Sequence, residues 1–379
     1  MYRLVAPSQA ELEKFFNTAK KSILDRIDDW LSDKISDVKV PCRSKKLNLT
    51  AKVTLGSLTD VFLRQYNTEA GLKNLMLGDI NDFLRIINDL ESKAAALGYP
   101  EDYVFSSMTL KQYETYENGG NTLRVAITRD IDHFNTILTD VFLHHGYDGE
   151  YVDHSKVFDK SRFVNLLNLR ICPYCGRAFI YSVQQVGSKT VVKPQIDHFL
   201  PKSKYPFLAL SFMNLIPSCQ TCNMKDCKGN NDPVKFASTG GQYLIQYPYQ
   251  FDASKIEFKY VLNGTSYNKD DNFDVEVDYK GDKELKKGYN NYLKTEEFYK
   301  CHNVEVAGMY RQMMILASKA KFFYEKMGMR KFWLQPTPML LMGYNFSEES
   351  SGKYMLYKFK HDIYLQMMNG EVGKIFKMK

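Results

Sequence analysis

Apolar residues recur at helical spacing through most of the first 155 positions. Leu12, Phe15, Phe16, Ala19, Ile23, Ile27 and Trp30 make one face of a helix, and Ser8 with Glu11 supplies a capping box at its start. Leu72, Leu75, Met76, Ile80, Phe83, Leu84, Ile87 and Leu90 predict a second helical stretch over 69–97, stopped by Gly98 with Pro100 beyond. The run Glu117-Asn118-Gly119-Gly120-Asn121 reads as a loop, and a further apolar helix is expected over 131–143. Beyond residue 233 the period changes. Ile256, Phe258 and Tyr260 alternate with polar residues, as do Phe273, Val275, Val277 and Tyr279, which predicts a strand pair within about 255–280. From 282 to about 328, and again over 353–369, the spacing returns to helical. The expected fold class is α+β: a mainly helical region 1–155, a mixed strand and helix region 233–379, and a segment 156–232 of different character between them.

The chain has 379 residues, 44% apolar and 25% charged, which excludes a disordered, collagen-like or small disulfide-stapled protein. Charges appear at Glu11, Glu13 and Lys14 before any signal-peptide core, and no run approaches the roughly 20 apolar residues of a membrane span. A cytoplasmic protein with no membrane partner is expected. The 51 basic and 44 acidic residues give +7 overall, but the excess is local. Residues 160–230 hold ten basic side chains against Asp197 and Asp226, a balance of +8 that leaves −1 for the rest.

That same segment holds two Cys-x-x-Cys pairs, Cys172/Cys175 and Cys219/Cys222. In a reducing compartment such spacing points to metal, since each turn presents two thiolates to one ion. Two pairs predict one structural Cys₄ zinc per chain, with no open coordination position. A thioredoxin-like context for redox chemistry is absent. Cys42, Cys227 and Cys301 are expected bystanders, although Cys227 lies close to the second pair.

Between the knuckles stands Ile196-Asp197-His198-Phe199-Leu200-Pro201-Lys202-Ser203-Lys204-Tyr205-Pro206, followed by Asn214-Leu215-Ile216-Pro217-Ser218 running into Cys219. A lone Asp-His pair is weak evidence; its value lies in its company. Val191 and Val192 before it are strand-like, 214–216 suit a returning strand, and the second knuckle can open a helix carrying Asn223. Asp197, His198 and Asn223 would then converge on one metal ion and one phosphate. His302 and the pair His144-His145 have no second spaced ligand and read as packed or surface histidines.

These residues resemble, in order and spacing, the HNH or ββα-metal endonucleases in their zinc-stapled form. The resemblance covers about 60 of 379 residues. It implies that His198 is the general base, that Asp197 and Asn223 bind a catalytic Mg²⁺ or Mn²⁺, and that Asn214 holds the loop that aims His198. Asn223 stands where a histidine is also found in that family; its amide oxygen suits a hard cation. Hydrolysis of a phosphodiester needs a deprotonated water and a cation at the phosphoryl group, with a 5′-phosphate and 3′-hydroxyl as the expected products. Lys202, Lys204, Lys225 and Lys228 are expected to grip neighbouring phosphates, of DNA in preference to RNA. The wording of the motif is also similar to that of HNH subunits of bacterial anti-phage systems of the Septu type, which implies an ABC-type ATPase partner. The chain itself has no Gly-x-x-x-x-Gly-Lys-[Ser/Thr] loop. The alternatives are a non-catalytic zinc-stapled nucleic-acid-binding or scaffold protein, and a self-sufficient restriction or mobile-element nuclease.

Overall fold

The computed structural model describes residues 1–42, 45–99, 111–118, 121–128, 131–153, 160–180, 183–184, 190–192, 194–235, 242–327 and 353–376. Helix α1 (Gln9–Leu31) starts at the Ser8/Glu11 capping box and buries its predicted stripe from Leu12 to Trp30. Helices α2 (Leu58–Tyr66), α3 (Glu69–Leu77) and α4 (Ile80–Ala96) follow. The single helical stretch expected over 69–97 is thus two helices. Asp79 accepts from the N–H groups of Asn81 and Asp82, and Asp82 closes a second capping box. This local start signal interrupts an apolar stripe that continues across it.

The first region also contains strands that the helical stripes conceal. β1 (Asp37–Cys42) pairs with β2 (Lys45–Thr50), and β3 (Lys111–Asn118) with β4 (Asn121–Thr128), both antiparallel. Leu47/Leu49 and Leu123/Val125/Ile127 carry the corresponding two-residue period. Of the expected loop at 117–121, Glu117, Asn118 and Asn121 belong to the ladder of the second hairpin, and 119–120 lie outside the described residues. Helix α5 (Phe134–Leu138) leads into a wider helix with π-type hydrogen bonding over Thr139–Asp153. Asp140 ties it to α1, accepting from Arg26 at 2.9 and 3.0 Å and from Trp30 Nε1 at 2.9 Å.

The central segment begins with α6 (Lys160–Leu166). Strand β5 (Val183–Gln184) pairs with β6 (Thr190–Val192), so the strand-like Val191 and Val192 do lie in a strand. The Asp-His strand is β7 (Gln195–His198), beyond Pro194, and it pairs antiparallel with β8 (Leu215–Ser218), Asp197 opposite Ile216 and His198 opposite Leu215. Helix α7 (Gln220–Asn223) follows at once and ends on Asn223, giving the order β, β, α.

In the last region β9 (Val234–Lys235) pairs with β10 (Gln242–Tyr243), and β11 (Glu257–Leu262) with β12 (Phe273–Asp278) in the predicted place. Helices α8 (Lys283–Leu293), α9 (Thr295–Lys300), α10 (Asn303–Met327), α11 (Tyr357–Asn369) and α12 (Glu371–Phe376) complete the chain. α11 covers the open edge of β11. Asp362 accepts from Phe258 N at 3.0 Å, and Gln366 both accepts from Tyr260 N and donates to Tyr260 O at 2.9 Å. Side chains thereby satisfy edge groups that would otherwise template association. Among the described residues the buried apolar side chains form one cluster from Met1 to Val372, and no helix is long and apolar enough to cross a membrane.

Candidate active site and zinc centre

Cys172, Cys175, Cys219 and Cys222 are all buried, and their sulfurs lie within 4.8 Å of one another. Cys175 Sγ is 3.9 Å from Cys219 Sγ. A tetrahedral zinc with sulfurs at about 2.3 Å spaces them about 3.8 Å apart, so the donor set fits zinc in number, chemistry and size. Backbone amides complete each turn: Arg177 N donates to Cys175 Sγ at 3.4 Å and Cys222 N to Cys219 Sγ at 3.5 Å. Gly176 makes the first turn at φ +64°, and a Cβ there would meet the Met1 nitrogen at 2.0 Å. The C-terminal region holds this knuckle, with Tyr299 OH donating to Cys175 O at 2.6 Å and Leu356 N to Gly176 O at 2.7 Å. Cys227 is buried near the second pair but stays outside the cluster.

Asn214 organises the loop between β7 and β8. It is fully buried; its Oδ1 accepts from Leu200 N at 2.8 Å, and its Nδ2 donates to Leu200 O at 3.0 Å and Leu208 O at 3.1 Å. The next carbonyl, Ala209 O, meets His198 Nε2 at 3.1 Å. A carbonyl can only accept, so Nε2 carries the proton and Nδ1 is left with a lone pair. His198 is 5% exposed, and burial, assisted by the charges of Lys202 and Lys228 against the pull of Ala209 O, pushes its pKa down to about 3. The imidazole is therefore neutral at physiological pH.

Gln195 and Asp197, two residues apart on β7, share one face of the strand. Asn223 Nδ2 donates to Gln195 Oε1 at 2.8 Å, which ties Asn223 to the strand that carries Asp197 and leaves its Oδ1 uncommitted by that bond. The Asp197 carboxylate is 4% exposed and has two partners of its own. Tyr174 OH donates to Oδ2 at 2.7 Å, and Lys228 Nζ lies 3.1 Å from Oδ2 and 3.3 Å from Oδ1. Burial pushes the Asp197 carboxyl above its usual range, and Lys228 and Tyr174 pull it back. By donor chemistry, a carboxylate and an amide oxygen are the hard ligands that Mg²⁺ or Mn²⁺ takes, so Asp197 and Asn223 are candidates to hold such an ion.

The four lysines divide. Lys228, expected to grip phosphate at the surface, is fully buried and belongs to the interior of the site. Lys204 is committed to Asp232 at 2.8 Å. Lys225 is exposed, and Lys202 lies at the rim with its Nζ 5.1 Å from the Tyr147 ring centroid and 4.0 Å from Asp148. Sequence patterning also misses Tyr147, whose ring packs edge-on to His198 at 4.7 Å from the π-type helix, and Tyr174, hidden between two zinc cysteines. Tyr174 carries a weak signal in its position within a knuckle; Tyr147 carries none. His145 pairs with Ser22 Oγ at 2.8 Å and His144 with Asp148 at 3.5 Å, away from any metal cluster among the described residues.

Residues 172–228 match the HNH endonuclease family. The chain is 49% identical over 41 residues to the Septu protein PtuB of Bacillus thuringiensis, a stretch covering 11% of this chain and 15% of that protein. It is 40% identical over 53 residues to Protein ea31 of Escherichia phage lambda, covering 14% of each. The chain thus spans only a small part of either relative, and no solved structure matches it. The β, β, α segment with its four clustered cysteines, from the first knuckle to Lys228, is an HNH endonuclease-family domain.

Proposed function

We propose that the protein is a divalent-metal-dependent endonuclease acting on DNA in preference to RNA, with His198 as its general base. The observation that carries this reading is the chain from Asn214 through the 208–209 backbone to His198. It holds a neutral imidazole by one nitrogen and leaves the lone pair of the other to accept a proton. Nδ1 takes the proton of the attacking water, and Ala209 O stabilises the imidazolium that forms. Asp197 and Asn223 would hold one divalent cation, which supplies Lewis-acid stabilisation of the charge growing on the phosphoryl and leaving oxygens. Lys202 and Lys225 contact flanking phosphates without reading sequence.

The finer reading, a nuclease component of a bacterial anti-phage defence system with an ABC-type ATPase partner, is supported by the similarity to the Septu protein PtuB. Because the chain lacks a phosphate-binding loop of its own, nucleotide-driven control would come from that partner. A second reading, a non-catalytic nucleic-acid clamp, is favoured by one observation: Lys228 already supplies a cation to Asp197.

The purified chain, with Mg²⁺ or Mn²⁺, is expected to nick supercoiled plasmid. His198→Ala should abolish cleavage while zinc content and circular dichroism stay unchanged. Undiminished cleavage by that variant overturns the assignment of the base, and a wild-type protein inert on plasmid and RNA, with or without its partner, favours the clamp.

A further inference from the structure

Lys228 is the least exposed charged residue of the site, with Asp197 beside it almost as deeply buried. Its three ammonium protons have three acceptors: the Asp197 carboxylate, the His198 carbonyl and Gly229 O at 3.4 Å. The pair is placed by the zinc knuckles. Lys228 N donates to Cys222 O at 3.1 Å, and Tyr174, which donates to Oδ2 of the same carboxylate, sits between Cys172 and Cys175.

The charge balance has a consequence. The ion pair of Asp197 and Lys228 sums to zero and Asn223 adds no charge. A divalent cation added to this pocket leaves +2 in a buried setting with a second cation on the same carboxylate, and such charge is costly out of water. A phosphodiester brings −1 and an oxygen ligand to the same place.

Resting on the proposed metal-dependent reading, we propose that Lys228 is a positioning residue that shares Asp197 with the catalytic cation and makes cation binding depend on the substrate phosphate. The free protein holds Mn²⁺ weakly at this site, and nucleic acid and metal bind with positive cooperativity. By linkage, the metal tightens nucleic-acid binding by the same factor.

The test measures Mn²⁺ binding to the full-length zinc-loaded chain by electron paramagnetic resonance, in a His198→Ala background so that DNA is not consumed. Affinity is expected to rise at least about tenfold when a short duplex is added, the size of effect that one added unit charge produces near a partly screened site. Lys228→Met, of similar length and without charge, should bind Mn²⁺ tightly without DNA and lose the dependence on it; Lys228→Arg should retain it. A lysine that merely filled space would not raise metal affinity when removed. Should Lys228→Met fail to fold, the comparison with and without DNA in the parent protein still decides. Equal Mn²⁺ affinity in both conditions overturns this inference alone. Mn²⁺ binding that Asp197→Asn leaves unaltered overturns the underlying assignment of the metal site.

Discussion

The hydroxyl of Tyr174 donates to Asp197 Oδ2 at 2.7 Å, joining a residue inside the first cysteine knuckle to a carboxylate on β7. The first knuckle therefore does more than bring two cysteines to the cluster: it places a hydroxyl on the carboxylate of Asp197. Tyr174→Phe keeps the packing and removes the donor. A hydrogen bond to a charged group contributes about 2 kcal/mol, and a loss of that size is expected in the denaturation midpoint. A variant as stable as the parent would show that Lys228 alone holds Asp197.

Zinc binding is expected to be part of folding. A Cys₄ site contributes on the order of 10 kcal/mol of apparent folding free energy, more than most domains have to spare. Elemental analysis should give one zinc per chain, and Cys172→Ser or strong chelation should unfold the central segment. Well under one zinc in a well-folded protein contradicts the site.

Asn214→Ala should be severe for its size. It strips Asn214's hydrogen bonds from Leu200 N and Leu200 O in a fully buried setting, while Leu208 O keeps Ser211 N, at a cost of about 3 kcal/mol. It also frees the backbone that carries Ala209 O, so cleavage should fall by about 100-fold even where the variant remains folded. Equal kcat in the variant would detach the loop from the chemistry.

Salt dependence separates the lysines. On duplex DNA, Lys202→Ala and Lys225→Ala are each expected to reduce the slope of log K against log salt by about 0.9, the signature of one lost phosphate contact. Lys204→Ala, which breaks the pair with Asp232, should leave the slope alone. A change of slope for Lys204 equal to that for Lys225 would restore it to the binding surface.

Away from the site, Asp140 links α1 to the helix that carries Tyr147 and accepts from both Arg26 and Trp30. Asp140→Ala leaves a guanidinium and an indole N–H with no partner in a nearly buried place, and a loss of about 3 kcal/mol is expected by denaturant titration with zinc content unchanged. A stability change within 0.5 kcal/mol, as for an ordinary surface substitution, would show that this contact is dispensable.

The sequence by itself determined what is local. The stripe from Leu12 to Trp30, the Ser8/Glu11 cap, the alternation through Phe258 and Val275, and the two Cys-x-x-Cys turns each express a rule acting over a few residues, and each appears where it was expected. The Asp79 cap that splits 69–97 was equally local, but the apolar stripe running through it masked the break. Tertiary structure alone decided which groups meet. Lys228 looks like any basic residue in a +8 segment, and only folding brings it 31 positions back to Asp197, where loss of water turns a phosphate-gripping charge into half of a buried pair. Tyr147 reaches His198 from a separate helix in the same way. Donor types are written in the residues, whereas burial and partnership, which set their charge and their task, belong to contacts between distant parts of the chain.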